Sequence, residues 1–206
     1  EVMCGMGRTG TLFAYEQEGI APDIVCIAKG LGAGYQPIGA TICTDKIYEA
    51  IKSGSGFFQH GHTYLGHPMA AAAADAVIDV LLNDNILTNV NNTGDHLKDT
   101  LHTKFAQHVH VGDIRGRGLF YGLEIVQDRE SKEPFPSSYG IARKIKSVAK
   151  DKGLLCYPMS GTVDGKKGDH VLLAPPYIIN EMEINNLSTL LAESLDEAIE
   201  SCKVRV

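Results

Sequence analysis

Hydrophobic and polar positions follow different patterns in the two halves of this chain. In the first half, Ile24 to Ala28 make a short unbroken apolar run, and Gly39 to Cys43 make a second short, mostly apolar stretch around Thr41. Runs of this length, rich in Val and Ile and bounded by Gly and Pro, read as buried strands. A helix follows the second run from Thr44 or Asp45. The segment HPMAAAAADAVIDVLLND predicts a well-buried helix over 67–82, with Pro68 in its first turn and an alanine run that permits close approach to a neighbour. A further helical stretch over about 86–107 places Val90, Leu97, Leu101 and Phe105 on one face despite Gly94.

From about residue 109 the texture becomes that of a smaller α+β domain, with strands and helices separated by Gly, Pro and Ser. GLFYGLEIV alternates as a half-buried strand with Leu119, Tyr121, Leu123 and Ile125 on one face. SSYGIARKIKSVAKDKG predicts an amphipathic helix capped by serine and stopped by Gly153. Strands are expected around LLCYP and HVLLA. The last helix begins at Asn180 with Glu183 three residues on, the spacing of a capping box, and repeats Ile184, Leu187, Leu191 and Leu195. No internal repeat or low-complexity segment interrupts the pattern.

Composition narrows the function classes. The 206 residues are 44% hydrophobic and carry a formal charge of -6, with lysines and arginines scattered along the chain. That distribution gives no footprint for nucleic acid or an anionic membrane. Asp75, Asp79 and Asn83 interrupt the longest apolar stretches, so none approaches the ~20 residues of a membrane span. Five widely spaced cysteines, mostly within apolar runs, read as reduced, buried thiols, and a cytoplasmic or mitochondrial-matrix setting is expected. The opening EVMCGMGRTG has neither an initiator methionine nor a targeting pattern and reads as the start of a piece.

The candidate chemistry centres on Lys29. It directly follows the first apolar run and precedes glycines at 30, 32 and 34, which leave the backbone room for a ligand. An ammonium buried there is expected to have a depressed pKa, and the resulting amine is suited to condense with an aldehyde. Two other motifs compete for attention. GMGRTG at 5–10 has the letters of a dinucleotide fingerprint, but the sequence after it is too short and punctuated for the required helix. In HGHTYLGHP, His60, His62 and His67 offer three imidazoles to a metal, without an acidic residue nearby to orient them.

EVMCGMGRTG, PDIVCIAKGLGAGYQPIGA and HGHTYLGHPMAAAAA, in this order and at these spacings, resemble the class-III aminotransferase family of pyridoxal-phosphate enzymes. The resemblance continues through IRGRGLFYGLEIV and LLAPPYII. It implies an α/β chain of the fold-type-I transferases, with the end of the large cofactor-binding domain over 1–95 and a small C-terminal α+β domain over 96–206. Lys29 is then the residue that holds pyridoxal 5'-phosphate covalently and moves protons as general acid and base. Thr63 would hold the phosphate of the cofactor of the neighbouring subunit in a homodimer with shared active sites. Arg115 becomes a substrate carboxylate contact, while Arg117 is taken as solvated or ion-paired. Lys166 and Lys167 stand where many members carry an arginine for that carboxylate. The family's aspartate to the pyridine nitrogen directly precedes the EV dipeptide. The implied reaction moves an amino group from an ω-amino acid or amine to a 2-oxo acid such as pyruvate or 2-oxoglutarate. A same-fold aminomutase, racemase or decarboxylase, and an inactive fragment or interaction partner, remain open as alternatives.

Overall fold

A computed structural model describes residues 1–203. The chain divides into two compact units, the first spanning Glu1–Val90 and the second beginning at Asn91.

In the first unit, strand β1 (Ile24–Ile27) pairs antiparallel with β2 (Ala40–Cys43), Ile24 opposite Cys43 and Ile27 opposite Ala40. Helix α1 (Asp45–Ser53) follows with Thr44 at its N-cap, and helix α2 (Pro68–Asn83) has proline in its first turn. The positions match the periodicity, but the burial does not. Ile24 is 54% exposed and Ile42 48%, and every residue of β2 is exposed. The physical reason is that the sheet has only two strands, so much of the apolar surface of the pair meets no packing partner. Helix α2 is likewise half open. Ala70 and Ala74, one turn apart, are buried along with Leu81, whereas Met69, Val80 and Leu82 are exposed. The cysteines follow suit: all five are free, but only Cys202 is buried, and Cys26 and Cys43 are exposed.

Helix α3 (Ile86–Phe105) carries the chain into the second unit. Val90, Leu97, Leu101 and Phe105 are all fully buried on one stripe. Gly94 lies on the same helix for a steric reason: a Cβ there would sit 2.7 Å from backbone atoms of Gly118. Strands β3 (Val111–Arg117), β4 (Phe120–Ile125), β5 (Tyr157–Ser160) and β6 (Asp169–Leu173) form one antiparallel sheet in the order β3-β4-β6-β5. Along β4 and β6, burial alternates as predicted, with Tyr121, Leu123, Ile125, Val171 and Leu173 facing the core. Helix α4 (Ile141–Asp151) packs on β5 and β6 and on helix α5 (Glu181–Lys203). The capping box of α5 is present: the Asn180 amide donates to Glu183 Oε2 and the Glu183 amide to Asn180 Oδ1, both at 3.0 Å.

IRGRG ends a strand that the sequence pattern did not predict, β3, paired with β4 through Arg115 opposite Gly122. One reading of this unit needs correction. Helix α4 is not capped by serine, because Ser137–Tyr139 forms a 3-10 turn and Gly140 takes the N-cap position with φ +59°. The helix finds a remote acceptor instead. Asp169, 4% exposed, accepts the Ala142 amide at 3.2 Å and the Ser160 hydroxyl at 2.6 Å through one oxygen, joining α4, β5 and β6.

Helix propensity alone predicts that Gly94→Ala stabilises the protein by about 1 kcal/mol. The contact with Gly118 reverses the sign, and a net destabilisation of about 1–3 kcal/mol is expected from overpacking. The urea unfolding midpoints of the two proteins decide between these outcomes.

Candidate active site

Lys29 sits at a change of backbone geometry. Ala28 is still extended, at φ -163°, and Lys29 turns abruptly to φ +46° as the first residue of a 3-10 turn, Lys29–Gly32. The Leu31 amide bonds back to Ala28 O at 3.0 Å, and Leu31 and Gly32 are buried. Helix α2 packs against this turn. Leu31 therefore anchors the turn, while the Lys29 side chain is exposed. The low-dielectric pocket expected for this amine is not formed by these residues, for the same reason that leaves β1 open.

A lysine in the left-handed region is uncommon and is retained only where its surroundings impose it. Here the imposing groups are visible. Ala33 is also left-handed, at φ +46°, and Gly34 follows at φ +83°. Gly39, where the chain returns, lies so near that an added Cβ would be 3.3 Å from Ile27 O and 3.5 Å from Ala28 Cβ. The strand end, the turn and the returning segment thus fix the lysine's origin and leave its amine reachable.

Thr63 lies in an exposed turn that leads into α2, closed by Leu65 N to His62 O at 3.0 Å and His67 N to Tyr64 O at 3.2 Å. Its hydroxyl donates to no other described residue, so it is available to an external acceptor. His60 and His62 meet edge to face, 5.5 Å between ring centroids. Among the described residues no three metal-ligating side chains converge.

The GMGRTG stretch is a compact loop. Gly7 N donates to Leu12 O at 3.2 Å, and only a five-residue 3-10 segment, Ala14–Glu18, follows, so the helix that a dinucleotide fingerprint requires does not form there. Glu1 holds this loop from a distance: its two carboxylate oxygens accept the amides of Ala14 and Tyr15, each at 3.0 Å. Nothing local in the sequence signals that clamp, because the partners are 13 and 14 residues away.

The other candidates belong to the second unit. Arg115 donates to Asp113 on its own strand and to Glu124 across the β3–β4 ladder at 3.2 Å. These bonds, the one to Asp113 foremost, raise its pKa further. A substrate carboxylate would have to displace two resident ones. Lys166 and Lys167 lie exposed in the loop joining β5 and β6. Asp164 orders that loop by accepting the Lys167 amide at 2.7 Å and the Lys166 amide at 2.9 Å, which hold its carboxyl below the usual carboxylate range.

A family model for class-III aminotransferases matches residues 1–195, and the chain belongs to that family. An aminotransferase of Gibberella zeae is 45% identical over 95% of the chain and 38% of its own length. A solved transaminase from the marine bacterium Virgibacillus superposes with a TM-score of 0.89 at 34% identity, covering 98% of this chain and 45% of that one. The PMP-bound form of an aminotransferase from Vibrio fluvialis gives 0.86 at 31% identity, covering 97% and 43%. The fold is therefore that of the fold-type-I transaminases. The chain spans about two fifths of the length of the curated relatives it matches.

The strained turn makes a prediction independent of catalysis. Lys29→Gly relieves the left-handed backbone, whereas Lys29→Ala keeps it. Glycine is expected to be the more stable replacement by about 0.5–1 kcal/mol, after its greater unfolded-state freedom is set against the relief. Equal or reversed stability in urea unfolding of the cofactor-free proteins would show that the turn is unstrained.

Proposed function

We propose that this chain supplies the lysine of a pyridoxal-phosphate-dependent aminotransferase, which moves an amino group from an ω-amino acid or amine to a 2-oxo acid, pyruvate or 2-oxoglutarate. The observation that carries the reading is Lys29: a reachable primary amine whose backbone is held in a left-handed turn between a strand end and a glycine-rich return. An aldehyde cofactor fits an accessible amine, and its phosphate fits an unengaged hydroxyl such as that of Thr63. When bound, pyridoxal phosphate supplies the electron sink that makes a carbon bearing an amine acidic.

The chain's own residues do the rest. Lys29 Nζ would hold the cofactor covalently and, as a free amine, would take and return a proton at the reacting carbon. Thr63 Oγ1 and its amide donate to the phosphate of the cofactor held by the partner subunit of a homodimer. Lys166 and Lys167 provide positive charge for a substrate carboxylate, with Arg115 in a lesser role because Asp113 and Glu124 already engage it. Point-charge ammonium groups recognise a carboxylate with less geometric restriction than a bidentate guanidinium. The free cysteines accord with placement in the cytoplasm or mitochondrial matrix.

Product analysis of the full-length protein tests the reaction. With an amine donor and pyruvate or 2-oxoglutarate, alanine or glutamate is expected to form, and Lys29→Ala is expected to abolish it. Rearranged, racemised or decarboxylated donor without amino transfer would assign the chain to another reaction of the same fold.

Loss of one charge-assisted phosphate contact costs about 1.5–3 kcal/mol. Thr63→Ala is therefore expected to weaken cofactor binding roughly ten- to a hundredfold, seen as cofactor release on dilution. Mixed dimers of a Lys29→Ala subunit with a Thr63→Ala subunit place both lesions in one site and are expected to recover part of the activity. No recovery in verified mixed dimers would confine Thr63 to its own subunit.

A further inference from the structure

Outside the candidate site, two reactive side chains from different helices touch. Cys202 lies on the inward stripe of α5, one turn beyond the fully buried Ala198, and is 6% exposed. Lys144 is half-buried on α4, next to the fully buried Ile145. Its Nζ lies 2.9 Å from Cys202 Sγ, a close approach for an atom as large as sulfur. The thiol hydrogen has its own acceptor, Ala198 O at 3.4 Å, so the amine meets the side of the sulfur that carries a lone pair.

Lys144 also lacks the partners found around comparable lysines. Lys52 pairs with Glu49, and Lys152 pairs with Glu193 and Glu197. Among the described residues Lys144 has no carboxylate partner, and the one side-chain hydrogen bond of its amine is to the sulfur. None of the other four cysteines has, among the described residues, a lysine in hydrogen-bonding contact; the sulfur of Cys26, for example, meets the Thr41 hydroxyl at 3.7 Å. The arrangement, among the described residues, is not an ion pair, and it holds a nitrogen nucleophile against the one buried cysteine.

We propose that Lys144 and Cys202 are an oxidant-sensitive pair that closes into a covalent nitrogen–sulfur link between α4 and the last turn of α5. The oxidant is a peroxide. Hydrogen peroxide transfers one oxygen to the Cys202 thiol, giving a sulfenic acid and one water. The unprotonated Lys144 amine then attacks the sulfur; the sulfur–oxygen bond breaks and the oxygen leaves as a second water, carrying a proton from the amine. The net change joins Nζ to Sγ and removes one hydrogen from each, while peroxide is reduced to two waters. Two equivalents of an added thiol reverse it, returning the amine and the thiol and forming that thiol's disulfide. The residues are 58 positions apart, so the link closes a long loop and restricts the unfolded chain as a disulfide would.

The test treats the full-length protein with hydrogen peroxide, digests it without reduction and maps the peptides by mass. The expected product joins the Lys144 and Cys202 peptides, is two hydrogens lighter than their sum and separates on treatment with dithiothreitol. Lys144→Arg keeps the charge but removes the nucleophilic amine. It is expected to lose the link and to accumulate at Cys202 a sulfenic acid that dimedone labels. Cys202→Ser is expected to lose the link as well. The wild-type map stands alone if either variant folds poorly. Cys202 oxidised without the link, or left unreacted while the exposed Cys26 and Cys43 are oxidised, would overturn the proposal.

Discussion

An amine captures an aldehyde only if its nitrogen is reachable and its origin is fixed, and the left-handed backbone at Lys29 meets both demands. An extended continuation of β1 would carry Lys29 onward in the strand's own direction. The turn instead redirects the chain at once, sinks Leu31 as an anchor and leaves the lysine side chain outside. Helix α2 packs on the turn from one side, and Gly39 lets the returning chain pass close by Ala28. The strain at one residue is thus held by packing at several others.

The second unit shows the contrasting arrangement, a four-stranded sheet with helices packed on it and a dense core. Its decisive contacts join elements far apart in sequence. Gly94 permits α3 to meet the backbone at Gly118, and the buried carboxylate of Asp169 satisfies the first turn of α4 in place of a local cap. Shorter-range contacts engage the remaining charges: Asp113 on the same strand and Glu124 on the neighbouring one take up Arg115, and Asp164 orders the Lys166–Lys167 loop from two and three residues away. Charges that look available in a linear reading are available only where the fold provides no partner.

This accounts for what was legible. Periodicity located β1, β2, the five helices and the inward face of β4, because those signals depend on neighbours within one or two turns. The capping box at Asn180 was legible for the same reason. Burial in the first unit was misjudged, since an apolar run such as IVCI reports a tendency to be covered and carries no information on what covers it. Strand β3 was hidden by its glycines and charges, and the serine cap of α4 failed because the true acceptor lies 27 residues downstream of Ala142. The glycine-rich context singled out Lys29 as a candidate, whereas its left-handed geometry and the clamp from Glu1 emerge only in three dimensions.

The central claim is that Lys29, and no other lysine, is placed to hold the cofactor. Borohydride reduction of the full-length protein loaded with pyridoxal phosphate, followed by peptide mapping, tests it most directly. The account predicts a single pyridoxyl label, on Lys29. A label on Lys46, Lys52 or any other lysine of the chain in its place would contradict it.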